Sequence, residues 1–494
     1  MPENNKKLKR NLGLVTLMAT GICSMLGASI NVVPFMIQRN IPGIGPYVLP
    51  AFIFAMIPAL FAALAYGILS SAMPRAGGSY IYASRGLNPY LGFIASFSQW
   101  FGLSIVIGVI AYISVAFIRD VSIGLGWLKI STILELPIIR IGIALSLIWT
   151  FVYINIKGTR SYKKILLPMM YLMFALGFIV IVAGFYHNTD DFIKALEIKE
   201  NRVFYPQTNI DFDWRIFLSA AALLFSSFIG FDSIAQAGSE AKNPTKTLPQ
   251  AIILSIVLVG SFYFLFSSAV YHTVPWSFIA EESKVKDISA PGLLSYVLPP
   301  WLGVAIVLGA AIALINDLPA MLLSVSRLMF AWADDGIFPS KIAKIHHRHA
   351  TPYISLIVAG TMASIGVLGS HFAGDFFLGI DIMVTSMMVN FLLMCTTLIT
   401  LPTVNPSLAA EISIFKKRSS QLIIGIAGSL FLSLFLLVHT YKDITSNVSH
   451  WYFHSTPVWL IVMIVGSVLF FIKWKEIGKE RNGDYTHLNR LPKE

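Results

Sequence analysis

The chain has 494 residues, of which 56% are hydrophobic and only 12% charged, and its formal net charge is +11. Soluble domains carry about 25% charged residues, so a chain of this length with half that share cannot cover itself with a water-facing surface, and its solvent is lipid. The basic excess does not mark a nucleic-acid partner, because Lys and Arg fall in short runs between apolar stretches, where they set topology.

The first residues, MPENNKKLKRNLG, are polar and basic, and the apolar run after them is longer than a cleaved signal peptide allows. At about 20 largely apolar residues per crossing, the pattern predicts an all-α membrane protein with twelve transmembrane helices. These fall at roughly 12–38, 45–72, 90–118, 138–156, 164–186, 215–238, 249–272, 301–330, 352–370, 376–401, 420–440 and 455–473. One side of the membrane collects Lys6, Lys7, Lys9, Arg10, Arg75, Arg85, Lys157, Arg160, Lys163, Lys164, Lys416, Lys417 and Arg418. The other side is acid-rich, with Asp190, Asp191, Glu197, Glu200, Asp211 and Asp213 in one loop and Glu281, Glu282 and Asp287 in another. The positive side is cytoplasmic, which puts both termini there: residues 1–11 as a short leading segment and 474–494 as a polar tail. The expected location is the plasma or inner membrane, crossed many times. Trp100, Trp127, Trp214, Trp276 and Trp301 suit interfacial anchors, although for any single one of them ordinary packing is the preferred reading. Cys23 and Cys395 both lie in apolar spans and make neither a disulfide framework nor a thiolate metal site.

Two spans carry small and polar residues at their centres. Span 1 contains MLGASINVVP, with Gly27, Ala28, Ser29 and Asn31, and span 6 contains LFSSFIGFDS, with Ser226, Ser227, Gly230 and Asp232. Small residues also serve helix packing. Matching clusters five spans apart point further, to discontinuous helices in two inverted repeats, about 12–186 and 215–401, with the helices of 420–473 appended. An unwound segment starts one half-helix, whose unpaired N–H groups suit an anion, and ends another, whose free C=O groups suit a cation. An α-amino acid has one group of each kind.

Four stretches then resemble the amino acid–polyamine–organocation superfamily of permeases. They are GASI (Gly27 to Ile30), SSAMPRAGGSYIYASRGLNPYLGF (Ser70 to Phe93), GFDSIAQAGSEAKNPTKTLPQAI (Gly230 to Ile252) and SRLMFAWADDGIFPSKIAKIHHRHATPY (Ser326 to Tyr353). The likeness runs from about residue 10 to residue 400, and the order and spacing of the motifs make it specific for the superfamily but not for a substrate. It implies a LeuT-like five-plus-five inverted repeat with helices 1 and 6 unwound, carrying amino acids, polyamines or related organic cations. It also implies that the backbone of Gly27, Ala28 and Ser29 meets the substrate carboxylate. Carbonyls near Phe225, Ser226 and Ile229 would meet the amine, and Gly230 would permit the break. Asp232 stands where the family has an acid just past that break, with a gating role or a loop-tethering role both open. The chain departs from the pattern at Ser29 and Asn31, has Ile68 where span 2 often carries Glu, lacks a Lys in LLPMMYLMFALG of span 5, and has Ser226 where an arginine exchanger has Trp.

Span 8 reads ALINDLPA at its centre. Sodium-driven relatives of this fold hold a cation between span 1 and the middle of span 8, on residues spaced i, i+3, i+4, which share one helix face. Ala313, Asn316 and Asp317 have that spacing, and Pro319 cannot donate to the carbonyl of Ile315. Carbonyls near Cys23 and Leu26 would complete an oxygen shell suited to a hard cation. The expectation is a coupling site for Na+ or H+ at Asn316 and Asp317, against the plainer reading of a neutral Asp at a Pro kink. Intramembrane ionisable residues are functional by default. No other cofactor is expected, and the only metal would be that Na+.

His346, His347 and His349 with Arg348 read as a solvated loop rather than a metal site, Asp381 as either pathway-facing or near its outer mouth, and the Met-rich runs MFALG and DIMVTSMMVNFLLM as packing surface. Asn447-Val-Ser449 is a glycosylation sequon in a secretory context. No nucleophile–base pair or phosphate loop is visible, so an intramembrane enzyme is set aside. The expected function is secondary active transport of an amino acid or organic amine by alternating access, cation-coupled. The alternatives are an uncoupled exchanger and a nutrient sensor that binds without transporting. The expected partners are the small-molecule substrate and the bilayer, with no nucleic acid and the oligomeric state undetermined.

Overall fold

In lipid only a helix satisfies all of its own backbone N–H and C=O groups without closing a barrel, and the apolar runs wind accordingly. The computed structural model describes residues 8–207, 209–373, 376–448, 450–480 and 484–492. Lys6, Lys7, Ser449 of the sequon and the side chain of Ala28 lie outside the described residues. The helices in chain order are α1 (Leu14–Asn31), α2 (Val33–Asn40), α3 (Val48–Ala72), α4 (Gly78–Gly86), α5 (Pro89–Gly124), α6 (Leu128–Glu135), α7 (Pro137–Ile156), α8 (Thr159–Tyr186), α9 (Thr189–Glu200), α10 (Trp214–Leu224) and α11 (Asp232–Gln236). They continue with α12 (Pro244–Thr273), α13 (Trp276–Val285), α14 (Ala290–Leu294), α15 (Pro300–Asp334), α16 (Tyr353–Ala373), α17 (Phe376–Val404), α18 (Pro406–Ala410), α19 (Arg418–Thr445) and α20 (Ser455–Glu480).

Among the described residues, eleven helical stretches are long and apolar enough to cross a membrane. The expected first span is not one of them, because α1 is interrupted at Gly27 and its apolar part, Leu14–Gly27, is too short alone. The sixth, Trp214–Gln236, is one stretch by hydropathy but two helices with a 3-10 turn between them. The others match the predicted spans, with α5 and α15 longer than predicted at 36 and 35 residues. The short α4, between the second and third predicted spans, is fully buried. Asn88 caps the start of α5 by accepting from the Leu91 N–H at 2.8 Å, and Pro89 fits the first turn, where no N–H is needed.

Helices α1, α5, α8, α12, α15 and α17 pack on one another at the centre. Outer helices carry the lipid-facing apolar surface, as in Leu430 and Leu437 of α19 and Ile464 of α20, each more than 60% exposed. Of the tryptophans expected at the interface, Trp127, Trp214 and Trp301 are exposed, but Trp100 is buried and meets Trp332 edge-on at 5.9 Å. Trp100 follows the packing reading, held in an aromatic cluster with Phe97 and Trp332. Both termini reach the same end of the bundle. The Leu12 N–H donates to the Glu240 carbonyl at 2.9 Å, and Arg75 and Arg85 donate to the carbonyls of Pro492 and Arg490, each at 3.1 Å.

Candidate functional site

The break in α1 is a single distorted residue. Gly27 has φ −62° and ψ −107°, and a second irregularity follows at Val32, before Pro34 opens the first turn of α2. Gly27 is required by close approach: a Cβ there would fall on the carboxyl group of Asp317. The Tyr263 hydroxyl of α12 donates to the Met25 carbonyl just before the break, and Asn31 Nδ2 donates to the Gly27 carbonyl at 3.4 Å.

The break in span 6 is longer. Residues Phe225–Phe228 tighten into a 3-10 turn, Ile229 is extended at φ −77° and ψ 127°, and Gly230 takes φ +141°. Only glycine adopts that conformation without strain, and a Cβ at Gly230 would also press on the Ser24 carbonyl. The two broken helices therefore touch, and Ser24 Oγ donates to Ser233 Oγ at 3.2 Å across the contact. Asp232 ties this turn down. Its Oδ1 accepts the Gly230 N–H at 3.0 Å and its Oδ2 accepts Gln99 Nε2 of α5 at 2.5 Å. These contacts join the turn to α5 through Asp232.

Between the breaks lies a small cavity. Its polar wall is Ser24, Ser29, Ser226 and Asp317, and its apolar wall comes from α5, α15, α17 and Ile229. Of the residues expected to meet a substrate, Ser29, Ser226 and Ile229 line this space. Gly27 sits behind the Asp317 carboxyl, Gly230 is packed on Ser24, and Phe225 is buried against Phe391 and Phe435. The Ser226 carbonyl already accepts the Ile229 N–H at 3.2 Å. Met383, from a run read as packing surface, lines the cavity with Met321.

The residues expected around a cation divide between two places. Asp317, 3% exposed, lines the cavity, and Asn316 Nδ2 donates to Cys23 Sγ at 2.9 Å, leaving Asn316 Oδ1 buried with no partner among the described residues. Ala313 and Leu26 instead line a second small, mostly apolar cavity bounded by α1, α8, α12 and α15. Helix α15 runs without interruption through Pro319, whose carbonyl accepts Asn155 Nδ2 at 3.3 Å. Asp381 is not among the residues lining the cavity between the breaks; its carbonyl lies 3.3 Å from His439 Nε2 of α19. His346 Nδ1 accepts the N–H groups of Arg348 and His349 at 3.2 and 3.3 Å, a local turn. Among the described residues no cluster of His, Cys, Asp or Glu could hold a metal.

A buried polar chain beside the cavity was not legible in the sequence. From Asn390 of α17 it runs to Tyr66 of α3 at 2.7 Å, to Ser79 of α4 at 2.7 Å, to Gln236 of α11 at 2.6 Å, and on through Gln99 to Asp232. Two buried ion pairs lie at the same end of the bundle: Arg327–Glu240 at 2.8 Å and Arg85–Asp335 at 2.5 Å. All four charged partners fall within the family-like stretches, yet nothing in their spacing tells which meets which.

Residues 12–471 match the model of a family described as amino acid permease. The chain is similar to a branched-chain amino acid permease of Bacillus subtilis (strain 168), 26% identical over 381 residues, covering 74% of this chain and 76% of the relative. It is similar to a low-affinity putrescine importer of Escherichia coli (strain K12), 24% identical over 84% of each chain. It is also similar to cationic amino acid transporter 4 of Mus musculus, 25% identical over 72% of this chain and 55% of the relative.

Proposed function

This chain belongs to the amino acid permease family, a family of multi-pass membrane permeases rather than enzymes, and from that premise we propose that it carries an amino acid or organic amine across the membrane by alternating access. The observation that carries the reading is the cavity between two touching, interrupted helices, with a carboxyl group in its wall. An interrupted helix exposes backbone dipoles at mid-membrane, where a small charged solute finds no water. The halves at about 12–186 and 215–401 act as inverted repeats, the interrupted α1 makes the twelfth crossing together with α2, and both termini face the cytoplasm, in keeping with the Lys and Arg at that end.

Transport is coupled to Na+ or H+ through Asp317 and Asn316. A carboxyl group within a span is costly unless it has work to do, and the orphaned Asn316 Oδ1 beside it is an oxygen donor of the hard type. Purified protein in liposomes tests this. The wild type accumulates substrate when a Na+ or H+ gradient is applied, and Asp317→Ala, folded by its chromatographic profile, only equilibrates it. Accumulation by Asp317→Ala against a gradient would remove Asp317 from the coupling step, and binding without any uptake by the wild type would make the protein a sensor.

A further inference from the structure

Two segments distant in sequence pool their cations at the end of the bundle that carries both termini. Residues 155–168 supply Lys157, Arg160, Lys163 and Lys164, residues 336–353 supply Lys341, Lys344 and Arg348, and neither segment contains an Asp or a Glu. All of these side chains are exposed, and among the described residues none of them forms an ion pair. The fold joins the segments. Thr351 Oγ1 donates to the Ile156 carbonyl at 2.8 Å, and α7 packs on both α8 and α16. Arg160, Lys163 and Lys164, at i, i+3 and i+4, share one face of α8. Topology asks only that cations lie on this side of the membrane, not that two loops gather them without counter-charges. At the opposite end Arg119 meets Asp120 at 2.7 Å and Arg202 meets Glu282 at 2.8 Å.

The patch continues into a lipid-facing surface. Trp149, Tyr153 and Lys157 follow one another along one face of α7 at successive turns. Trp149 is 40% exposed and Tyr153 57%, and the Lys157 ammonium lies 4.4 Å from the centre of the Tyr153 ring. The face therefore passes from aromatic to cationic, the order found where a bilayer meets water. A ligand that matches both halves needs a phosphate and a hydrocarbon chain together. An inorganic anion or an acidic protein would use the cations and leave the aromatic half idle. We propose that this patch binds an anionic phospholipid, its phosphate among the pooled Lys and Arg side chains and an acyl chain along Tyr153 and Trp149.

Full-length protein in neutral detergent is titrated with phosphatidylglycerol and with phosphatidylcholine of the same chains, and retained lipid is counted by native mass spectrometry. Phosphatidylglycerol should bind at least tenfold more tightly. Each Lys or Arg near an anionic surface is worth roughly fivefold in affinity, so a chain carrying Lys163→Gln, Lys164→Gln and Arg348→Gln together should lose that preference. A control with Lys416→Gln and Lys417→Gln should keep it, since those exposed cations precede α19, which packs on α3, α10 and α17. Phosphatidylglycerol with brominated chains should quench the fluorescence of the wild type more than that of Trp149→Phe. Equal affinity for the two lipids, or an unchanged triple variant, would overturn the proposal. So would an equal loss in the control, which would reduce the patch to an attraction shared by every cation at this end. Inorganic phosphate or polyglutamate bound as tightly as phosphatidylglycerol would replace the lipid with a free anion or an acidic protein. Equal quenching of the wild type and Trp149→Phe would overturn the placement of the acyl chain.

Discussion

At the end of the bundle that carries both termini, Arg327 meets Glu240 at 2.8 Å with each side chain 1% exposed. At the opposite end Arg202 meets Glu282 at the same 2.8 Å with exposures of 36% and 12%. Equal distance does not mean equal consequence. Arg327 and Glu240 are both buried, and Arg327 donates to both carboxylate oxygens of Glu240 and to Ser326 Oγ. Arg202 and Glu282 keep access to water and share their charge with Glu281 and Lys286. The terminal end is thus closed by charges that cannot be separated cheaply, and the opposite end by charges that can.

Removing one partner from each place should reveal that asymmetry. The largest effect is expected from Arg327→Ala, which strands a buried carboxylate; such truncations cost about 3–5 kcal/mol, and urea unfolding in detergent should show it. Replacing both partners with Met should restore most of the loss, and a double variant as unstable as the single one would show that the pair does more than neutralise itself. A middle-sized effect is expected from Gln99→Leu, which takes a donor from Asp232 and breaks the polar chain to Gln236; one lost buried partner costs about 1–3 kcal/mol. Because Asp232 ties the span 6 turn, this variant should also weaken substrate binding, and unchanged binding would separate the tether from the cavity. The smallest effect is expected from Glu282→Gln, below about 1 kcal/mol, since its partners are solvated. Although burial pushes the Glu282 carboxyl up, hydrogen bonds from Arg202 and Lys286 bring it below its ordinary value. A carboxyl depressed in the folded state stabilises it above the ordinary carboxylate range, and that contribution is lost as pH falls through the folded-state value. Titrating wild type and Glu282→Gln downward in pH should therefore bring their stabilities together.

The spans were legible because hydropathy over about 20 residues is a one-dimensional signal, and so were the interruptions, because Gly27 and Gly230 sit among apolar neighbours. What the chain could not display is who meets whom. Arg327 and Glu240 are 87 residues apart, and their pairing follows from how α15 crosses the segment after α11. The nearness of span 1 to Asn316 followed from the family resemblance, but Asn316 meets the Cys23 thiol and not its carbonyl. The departure of Ala313 and Leu26 to a second cavity was not, since it depends on where α8 and α12 close over α1. Ser226 was found as a residue near the break, but its role as an orphaned hydroxyl in the cavity needed three dimensions, and Met383 was mistaken for filler because a methionine reads alike in a core and in a pocket wall.

The central claim is that a solute occupies the space between the two interrupted helices, and Ile110 in its wall offers a direct probe. Both native cysteines are 0% exposed, so Ile110→Cys provides the reactive thiol, and its rate of modification by a small charged thiosulfonate can be followed with and without a series of amino acids and linear amines. The account predicts modification that slows at least several-fold when a transported solute is present. Modification at the same rate with every solute that the protein takes up would place the substrate elsewhere and contradict it.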